Sequence, residues 1–409
     1  MKVAHVTLYP PKNSKHVEGS GVASYSKNLV THLGVDEQVV VCNEMGSDSE
    51  VYNEDDVSVH RVFARKPSYV LKVHKELKRI DPDVIHIQQE LALFGGIFTA
   101  YLLQWLVFLW RKKVVITLHG VVDPKKINHR FVKENNSNLP VWAVKFAFYI
   151  IYKPLMIWAK RIIVHERYFK DIVTYGYGVS GRKIVVIPHG IEMLEADDKS
   201  EARKKLNIPA GADVALFMGY ATGYKGIDLL IEGFSKYAEL NPKAYLVIGA
   251  GKHPKLYNDN SYLAEYKRLQ DKAKAMIPKD QYWWEGFINE EDIGAYYSAS
   301  DVSVFPYTTA MASSGPMSFA IGYEKPFLVS SSFSAIFSES PELLFDKNPE
   351  ALAEKLDYFF AHESIYESMS HNLKNERSWS RVAEQTALVY GSINQQKENY
   401  EAEERVITG

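Results

Sequence analysis

Short runs of consecutive apolar residues alternate with helix-length amphipathic stretches from one end of the chain to the other. Runs of about four to eight such residues read as strands buried on both faces of a parallel sheet, and the amphipathic stretches between them as the crossing helices. In the first half, strands are expected at 2–9, 38–43, 57–63, 83–88, 114–120, 161–166 and 183–190. In the second they are expected at 213–220, 243–250, 282–287, 301–307 and 326–330, after which the pattern is mostly helical. The rhythm predicts an α/β protein made of two doubly wound domains. The polar segment GIEMLEADDKSEARKKLNIPAG, from Gly190 to Gly211, ends in Pro and Gly and marks the boundary. The expected domains are 1–190, completed by a C-terminal helix at about 385–409, and 191–384, with a cleft between the halves.

With 409 residues, 46% of them apolar and 24% charged, the chain has the material for two cores and is too hydrophobic to be disordered. Its single cysteine, Cys42, leaves no internal disulfide and no cysteine-based zinc module, which fits a reducing, cytoplasmic compartment. The opening MKVAHVTLYPP passes straight into a strand pattern without the apolar run of a signal peptide. Net charge is −2, yet residues 1–190 hold 26 Lys and Arg against 17 Asp and Glu, while residues 191–409 hold 22 against 33. An excess of cations on the first half points to an anionic partner or surface, or else to solvated faces that differ in sign.

Two apolar segments bear on location. Residues 91–110 are uncharged for 20 positions and close on Arg111, Lys112 and Lys113. They lie between two sheet strands, so they are expected to form a helix buried against the sheet, with one apolar face turned toward lipid, rather than a span. Residues 142–161, WAVKFAFYIIYKPLMIWAKR, combine aromatics with Lys145, Lys153 and Lys160 on one third of a helical wheel. With Lys125, Lys126, Arg130 and Lys133 they predict a basic face bordered by aromatics. Such a face fits peripheral contact with the anionic inner face of a membrane, the alternative being a core helix with its lysines in water.

Chemistry is expected at the ends of strands. The loop carrying Gly19, Ser20 and Gly21 opens a helix, where backbone amides face an anion and glycine lets it approach; the same residues also serve as plain punctuation before a helix. His119 and His189 are each the last side chain before a glycine at a strand end, and His86 reads as a hydrogen-bonded core residue. Lys225 falls at a helix start, an unfavourable place for a cation unless an anion shares it. Ser313, Ser314 and Gly315 precede Pro316, a first-turn proline, and offer hydroxyls and amides to a phosphate or simply cap the helix. No spacing of His, Cys, Asp or Glu reads as a metal site.

The segments GSGVA, ITLHG, VIPHG, GYATGYKGIDLLIEGF, LVIGAGKHPK, EGFINEEDIGAYYSASDVSVFPY and GYEKPFLVS follow one another in order over nearly the whole chain. Together they resemble the retaining, nucleotide-sugar-dependent glycosyltransferases of family four, whose GT-B fold has two Rossmann-like domains. The resemblance implies an acceptor site on the first domain, a donor site on the second and a metal-independent transfer to an acceptor hydroxyl. It implies a UDP- or GDP-linked sugar as co-substrate, with no other cofactor, a glycan or lipid-linked acceptor, and no nucleic acid partner. Lys225, Gly219, Tyr220, Ser313, Ser314, Gly315 and Ser318 would then line the donor site, with His119 toward the sugar, Gly19 to Gly21 toward the leaving phosphate and His189 as a further substrate-binding residue. The chain departs from the family in two places. Tyr220 follows Gly219 where the family carries Arg, and neither Ala310 or Met311 nor Ser318 or Phe319 supplies the family's paired glutamates. Those departures keep open a catalytically silent protein of the same fold that binds a nucleotide or sugar as a partner subunit. A nucleotide-sugar epimerase is a third reading.

Overall fold

A computed structural model describes residues 1–14, 21–45, 49–91, 93–134, 138–309 and 314–408. The chain divides into two units, one comprising Met1–Gly190 with Trp379–Gly409, the other Ile191–Ser378. Among the described residues the first unit holds β1 (Lys2–Thr7), β2 (Glu37–Asn43), β3 (Glu50–Glu54), β4 (Val57–Phe63), β5 (Val84–Gln89), β6 (Val114–Leu118), β7 (Arg161–Val164) and β8 (Ile184–Val186), in the order β3-β4-β2-β1-β5-β6-β7-β8. Every pairing is parallel except β3 with β4. That hairpin strand was not expected: EVYNE is short, polar and mostly solvated, as suits the edge of a sheet.

The second unit holds β9 (Asp213–Tyr220), β10 (Ala244–Gly251), β11 (Tyr282–Trp284), β12 (Val302–Phe305), β13 (Phe327–Ser330) and β14 (Leu344–Phe345), in the order β11-β10-β9-β12-β13-β14, all parallel. Both sheets are thus Rossmann-like, and their central strands are buried along nearly their whole length, which is why they read as unbroken apolar runs. In each unit the first strand of the sequence lies inside the sheet and the order reverses beside it, so the loops at the carboxyl ends of the central strands gather at one place.

Three expectations change. The 20-residue apolar segment is not one helix: its helical part is Ile97–Leu109, 13 residues, preceded by Gly95 and Gly96 in positive-φ conformations. Lys160 does not share a helix with Lys145 and Lys153. The helix Val141–Trp158 stops because Ala159 is extended, and the Lys160 amide donates to the Val114 carbonyl as the chain enters β7. The return to the first unit comes at Trp379 rather than about residue 385. Trp379 is buried among Tyr25, His189 and Gly190 and begins the last helix, Trp379–Thr408.

Candidate active site

In the second unit, β9 runs into Gly219, whose φ of +145° turns the chain at the sheet end, and then into Tyr220. A short turn, Gly223–Lys225, follows, and the helix Ile227–Leu240 begins behind Gly226. Gly226 is the one residue type this junction accepts. Its φ is +69°, and a Cβ there would overlap the carbonyl oxygen of Pro306 on the segment leaving β12. The close approach sets Lys225 against Tyr307. Nζ donates to the Tyr307 hydroxyl at 2.5 Å and sits 3.9 Å from the centre of that ring, with Tyr224 on another side.

Lys225 is only 6% exposed, and burial pulls its ammonium pKa from 10.5 down to about 8. Among the described residues no carboxylate lies within ion-pairing distance of Nζ. Beyond it opens a cavity of about 350 Å³ lined by Gly219, Tyr220, Gly251, Phe287, Glu290 and Pro316, among others. Tyr220 and Phe287 stack at 6.2 Å to form one apolar wall. The hydroxyl of Tyr307 is 3.0 Å from that of Ser314, the buried residue preceding the helix Gly315–Gly322, with Pro316 in its first turn. Ser318 is half-buried one turn further on, and its amide bonds the Ser314 carbonyl. The structure therefore joins Lys225, Gly219, Tyr220, Ser314, Gly315 and Ser318 around two neighbouring strand ends. Ser313 lies outside the described residues. This arrangement is a cationic recess beside a helix start, with an apolar flank, suited to a diphosphate carrying an aromatic base.

Tyr307, Phe287 and Glu290 were not singled out from sequence. Tyr307 was discoverable: it ends the DVSVFPY strand beside the one that leads to Lys225.

In the first unit, His119 follows β6 and is pinned by its backbone amide to the Gln89 carbonyl. Its Nε2 lies 2.8 Å from the side-chain oxygen of Gln88 and its Nδ1 3.2 Å from Nε2 of His165. His165 bonds through Nδ1 to the Ile187 carbonyl at 3.1 Å. Tyr25 packs its ring against His119, His165, His189 and Trp379, with centroids 4.8 to 5.2 Å away. His189 donates from Nδ1 to the Gly190 carbonyl, 2.8 Å away. Burial first, and then the neighbouring imidazoles, hold His119 well below the ordinary histidine pKa, so it is neutral.

The Ile187 carbonyl only accepts, so His165 Nδ1 carries a proton. A His165 holding that proton alone accepts through Nε2 from His119 Nδ1, which leaves His119 Nε2 with a lone pair. A half-turn of the Gln88 amide, which swaps its oxygen and nitrogen without moving heavy atoms, then supplies the N–H that this lone pair needs. His86 is buried and bonded to Thr117 and Tyr390, as a core histidine should be. Gly21 is exposed at the start of the helix Gly21–His32, whereas Gly19 and Ser20 lie outside the described residues. His165 and Gln88 are the additions here. His165 ends β7 just as His119 ends β6, and two adjacent parallel strands with the same terminal residue are a legible signal. Among the described residues no cluster of His, Cys, Asp or Glu could hold a metal ion.

Two Rossmann-like sheets, one with a cationic recess at its strand ends, define the GT-B class of glycosyltransferases. The first half, residues 19–193, matches the model of Glycosyltransferase Family 4, and residues 198–376 match that of Glycosyl transferases group 1, so the chain belongs to this glycosyltransferase family. Mannosylfructose-phosphate synthase of Agrobacterium fabrum is 28% identical over 238 residues, 54% of this chain and 50% of that protein. An uncharacterized glycosyltransferase, MJ1607, of Methanocaldococcus jannaschii is 23% identical over 247 residues, 56% of this chain and 59% of that protein. The matched region thus spans between half and three fifths of the length of these curated relatives. Sucrose-phosphate synthase from Thermosynechococcus elongatus shares the fold with a TM-score of 0.62 and 16% identity, covering 97% of this chain and 99% of that one. Anabaena HepE in complex with UDP does so with a TM-score of 0.64 and 15% identity, covering 96% and 100%.

Proposed function

We propose that the protein transfers a hexose, with retention and without a metal ion, from a UDP- or GDP-linked donor to a hydroxyl of a glycan or lipid-linked acceptor in the cytoplasm. The observation that carries this reading is Lys225, a buried cation that, among the described residues, has no carboxylate beside it and lines a recess at a helix start. A buried ammonium without a counter-ion costs free energy that a bound diphosphate returns. The apolar wall of Tyr220 and Phe287 supports a nucleobase on the same ligand, and a structure of this fold holding UDP supports the choice of nucleotide.

In the transfer, the bond between the sugar's anomeric carbon and the diphosphate oxygen breaks while the acceptor oxygen bonds that carbon on the same face. The acceptor's proton passes to the leaving phosphate oxygen. Lys225 and the amides at the start of the Gly315–Gly322 helix meet the charge that develops on the phosphate, each such donor being worth about 3 kcal/mol in the transition state. His119 offers its Nε2 lone pair to a sugar hydroxyl in exchange for Gln88, Gly21 serves the leaving phosphate, and His189 is a further substrate-binding residue. The residues at Ser318 and Phe319, neither acidic, favour as a second reading a protein that binds the donor without turning it over.

Incubation with a panel of UDP-, GDP- and ADP-sugars, with nucleoside diphosphate release as the readout, separates the two. Release that disappears in Lys225→Ala, with the fold retained, is the expected result. Binding without release supports the silent protein, and release unchanged in Lys225→Ala refutes the site.

A further inference from the structure

The first unit carries two helices whose outward faces are made of hydrocarbon. In Ile97–Leu109 the polar residues Thr99 and Gln104 are buried, while Ile97, Phe98, Trp105, Phe108 and Leu109 are exposed. This inverts the pattern of a helix on a solvated surface. In Val141–Trp158, Trp142, Phe146, Tyr149 and Ile157 follow one stripe at helical spacing and are likewise exposed, Trp142 by 71%. The two helices pack together, with Trp158 lying 5.0 Å from Phe108 and 6.5 Å from Trp105, so the stripes belong to one surface. An apolar patch of this extent on a folded unit marks an interaction surface.

Both helices also have a face in the core. Leu103, Leu106 and Val107 of the first, and Tyr152, Leu155 and Met156 of the second, pack on the sheet. Crossing a bilayer would strip those contacts, so the helices can lie in an interface and cannot span one. Only 28% of the apolar helix Val141–Trp158 is buried, so much of its hydrocarbon lies on its outer side.

Charge identifies those surroundings. Residues 91–165 contain eleven Lys and Arg against two acidic residues, Asp123 and Glu134. Several cations sit at the edge of the aromatic stripes: the Arg111 guanidinium lies 4.9 Å over the Phe108 ring, Lys153 lies 4.8 Å over Tyr149, and Lys112 and Lys145 are exposed beside them. Amphipathic cations framing exposed Trp, Phe and Leu match a surface that is anionic at the headgroup and apolar just beneath. An acidic protein or a nucleic acid would satisfy the cations and leave the hydrocarbon in water.

We propose that the face formed by Ile97–Leu109 and Val141–Trp158 docks on the surface of an anionic lipid bilayer, with both helices parallel to the membrane plane. The proposal is independent of the donor site and is tested without donor or acceptor, so either can fail alone. The full chain is sedimented with vesicles of phosphatidylcholine, or of phosphatidylcholine with phosphatidylglycerol, at low and high salt. Binding is expected to the anionic vesicles, weakened by salt. Each cation at such a surface is worth about fivefold in partitioning, so the combined Arg111→Gln, Lys112→Gln and Lys145→Gln variant should lose about a hundredfold. The combined Phe98→Ser, Trp142→Ser and Phe146→Ser variant, altered at side chains more than half exposed, should keep its fold by circular dichroism and lose binding as well.

Absence of binding to anionic vesicles at low salt overturns the proposal. So does a wild-type dimer that the serine variant converts to monomer while neither binds lipid, since a second copy would then cover the face. Binding that survives both sets of substitutions also overturns it.

Discussion

Lys225 ties the donor reading to a measurable proton. Burial lowers its pKa from 10.5 to about 8, and that shift corresponds to about 3 kcal/mol spent on keeping the ammonium charged in the recess. A nucleoside diphosphate bound against Nζ restores the charged form, so the pKa in the complex rises and binding takes up a proton from solution. Near pH 7 the lysine is already about nine-tenths protonated and uptake is small. It grows to about half a proton at pH 8 and approaches one near pH 9, and affinity should fall about tenfold per pH unit above 8 until the pKa of the complex is reached. Titration calorimetry with UDP and GDP at about pH 9, in two buffers of very different ionisation enthalpy, reads the uptake directly, and Lys225→Met should abolish it. Without ligand the sign reverses. The unfolded chain binds more protons than the folded one between pH 8 and 10.5, so this lysine's penalty is full below that window and fades as pH rises through it. The stability gained by Lys225→Met relative to the natural protein should therefore be largest at neutral pH and shrink toward pH 10. An enthalpy that does not depend on the buffer, or equal proton uptake in Lys225→Met, would refute the placement of a diphosphate here.

Two further substitutions probe how the recess and the histidine chain are held. Gly226→Ala demands a positive φ from a residue with a Cβ and drives that Cβ into the Pro306 carbonyl; a loss of about 2 to 5 kcal/mol in denaturant unfolding, with weakened nucleotide binding, is expected. A destabilisation below about 1 kcal/mol would mean the helix start can shift freely. Gln88→Glu sets a carboxylate against His119 Nε2, 2.8 Å from the end of the Gln88 amide. The imidazolium should then be favoured and the His119 pKa raised, read by NMR titration of the ring; a ring that titrates no higher than in the natural protein would show that the chain from Gln88 to His165 is not continuous.

What the chain revealed in advance follows from burial. β9 and β5 were readable because both faces of each strand are covered and the apolar run is unbroken. Lys225 was readable because a cation at a helix start contradicts the local dipole. β3 was not, because a solvated edge strand with Glu at both ends carries no apolar pattern. The partners of His119 escaped for a different reason. Gln88, His119 and His165 come from β5 and from the ends of β6 and β7, and only the parallel register of those strands brings the side chains within bonding distance. Tyr307 likewise acquires its role from the close approach at Gly226. The direction of the aromatic stripes on the two apolar helices was legible only in part, since buried and lipid-facing positions look alike when both are hydrocarbon.

The split composition of the first unit dictates an order of events during synthesis. Residues 1–190 leave the ribosome first, yet Tyr25, Val115, Ile163 and Ile187 share a cluster with Trp379, Val382, Val389 and Tyr390, all of which lie beyond the inserted second unit. Until those residues emerge, the cluster around Tyr25 is incomplete and His86 lacks the Tyr390 hydroxyl. The middle unit faces no such delay. Its ends are joined by the bridge between Ile191 and Ser378 and by the hydrogen bond from Ile191 to Arg377, so it is a closed insertion whose contacts are complete once residue 378 is made. The unit that begins the chain is therefore the last to finish folding, and a ribosome stalled before the final helix would leave a finished second unit tethered to an unfinished first one.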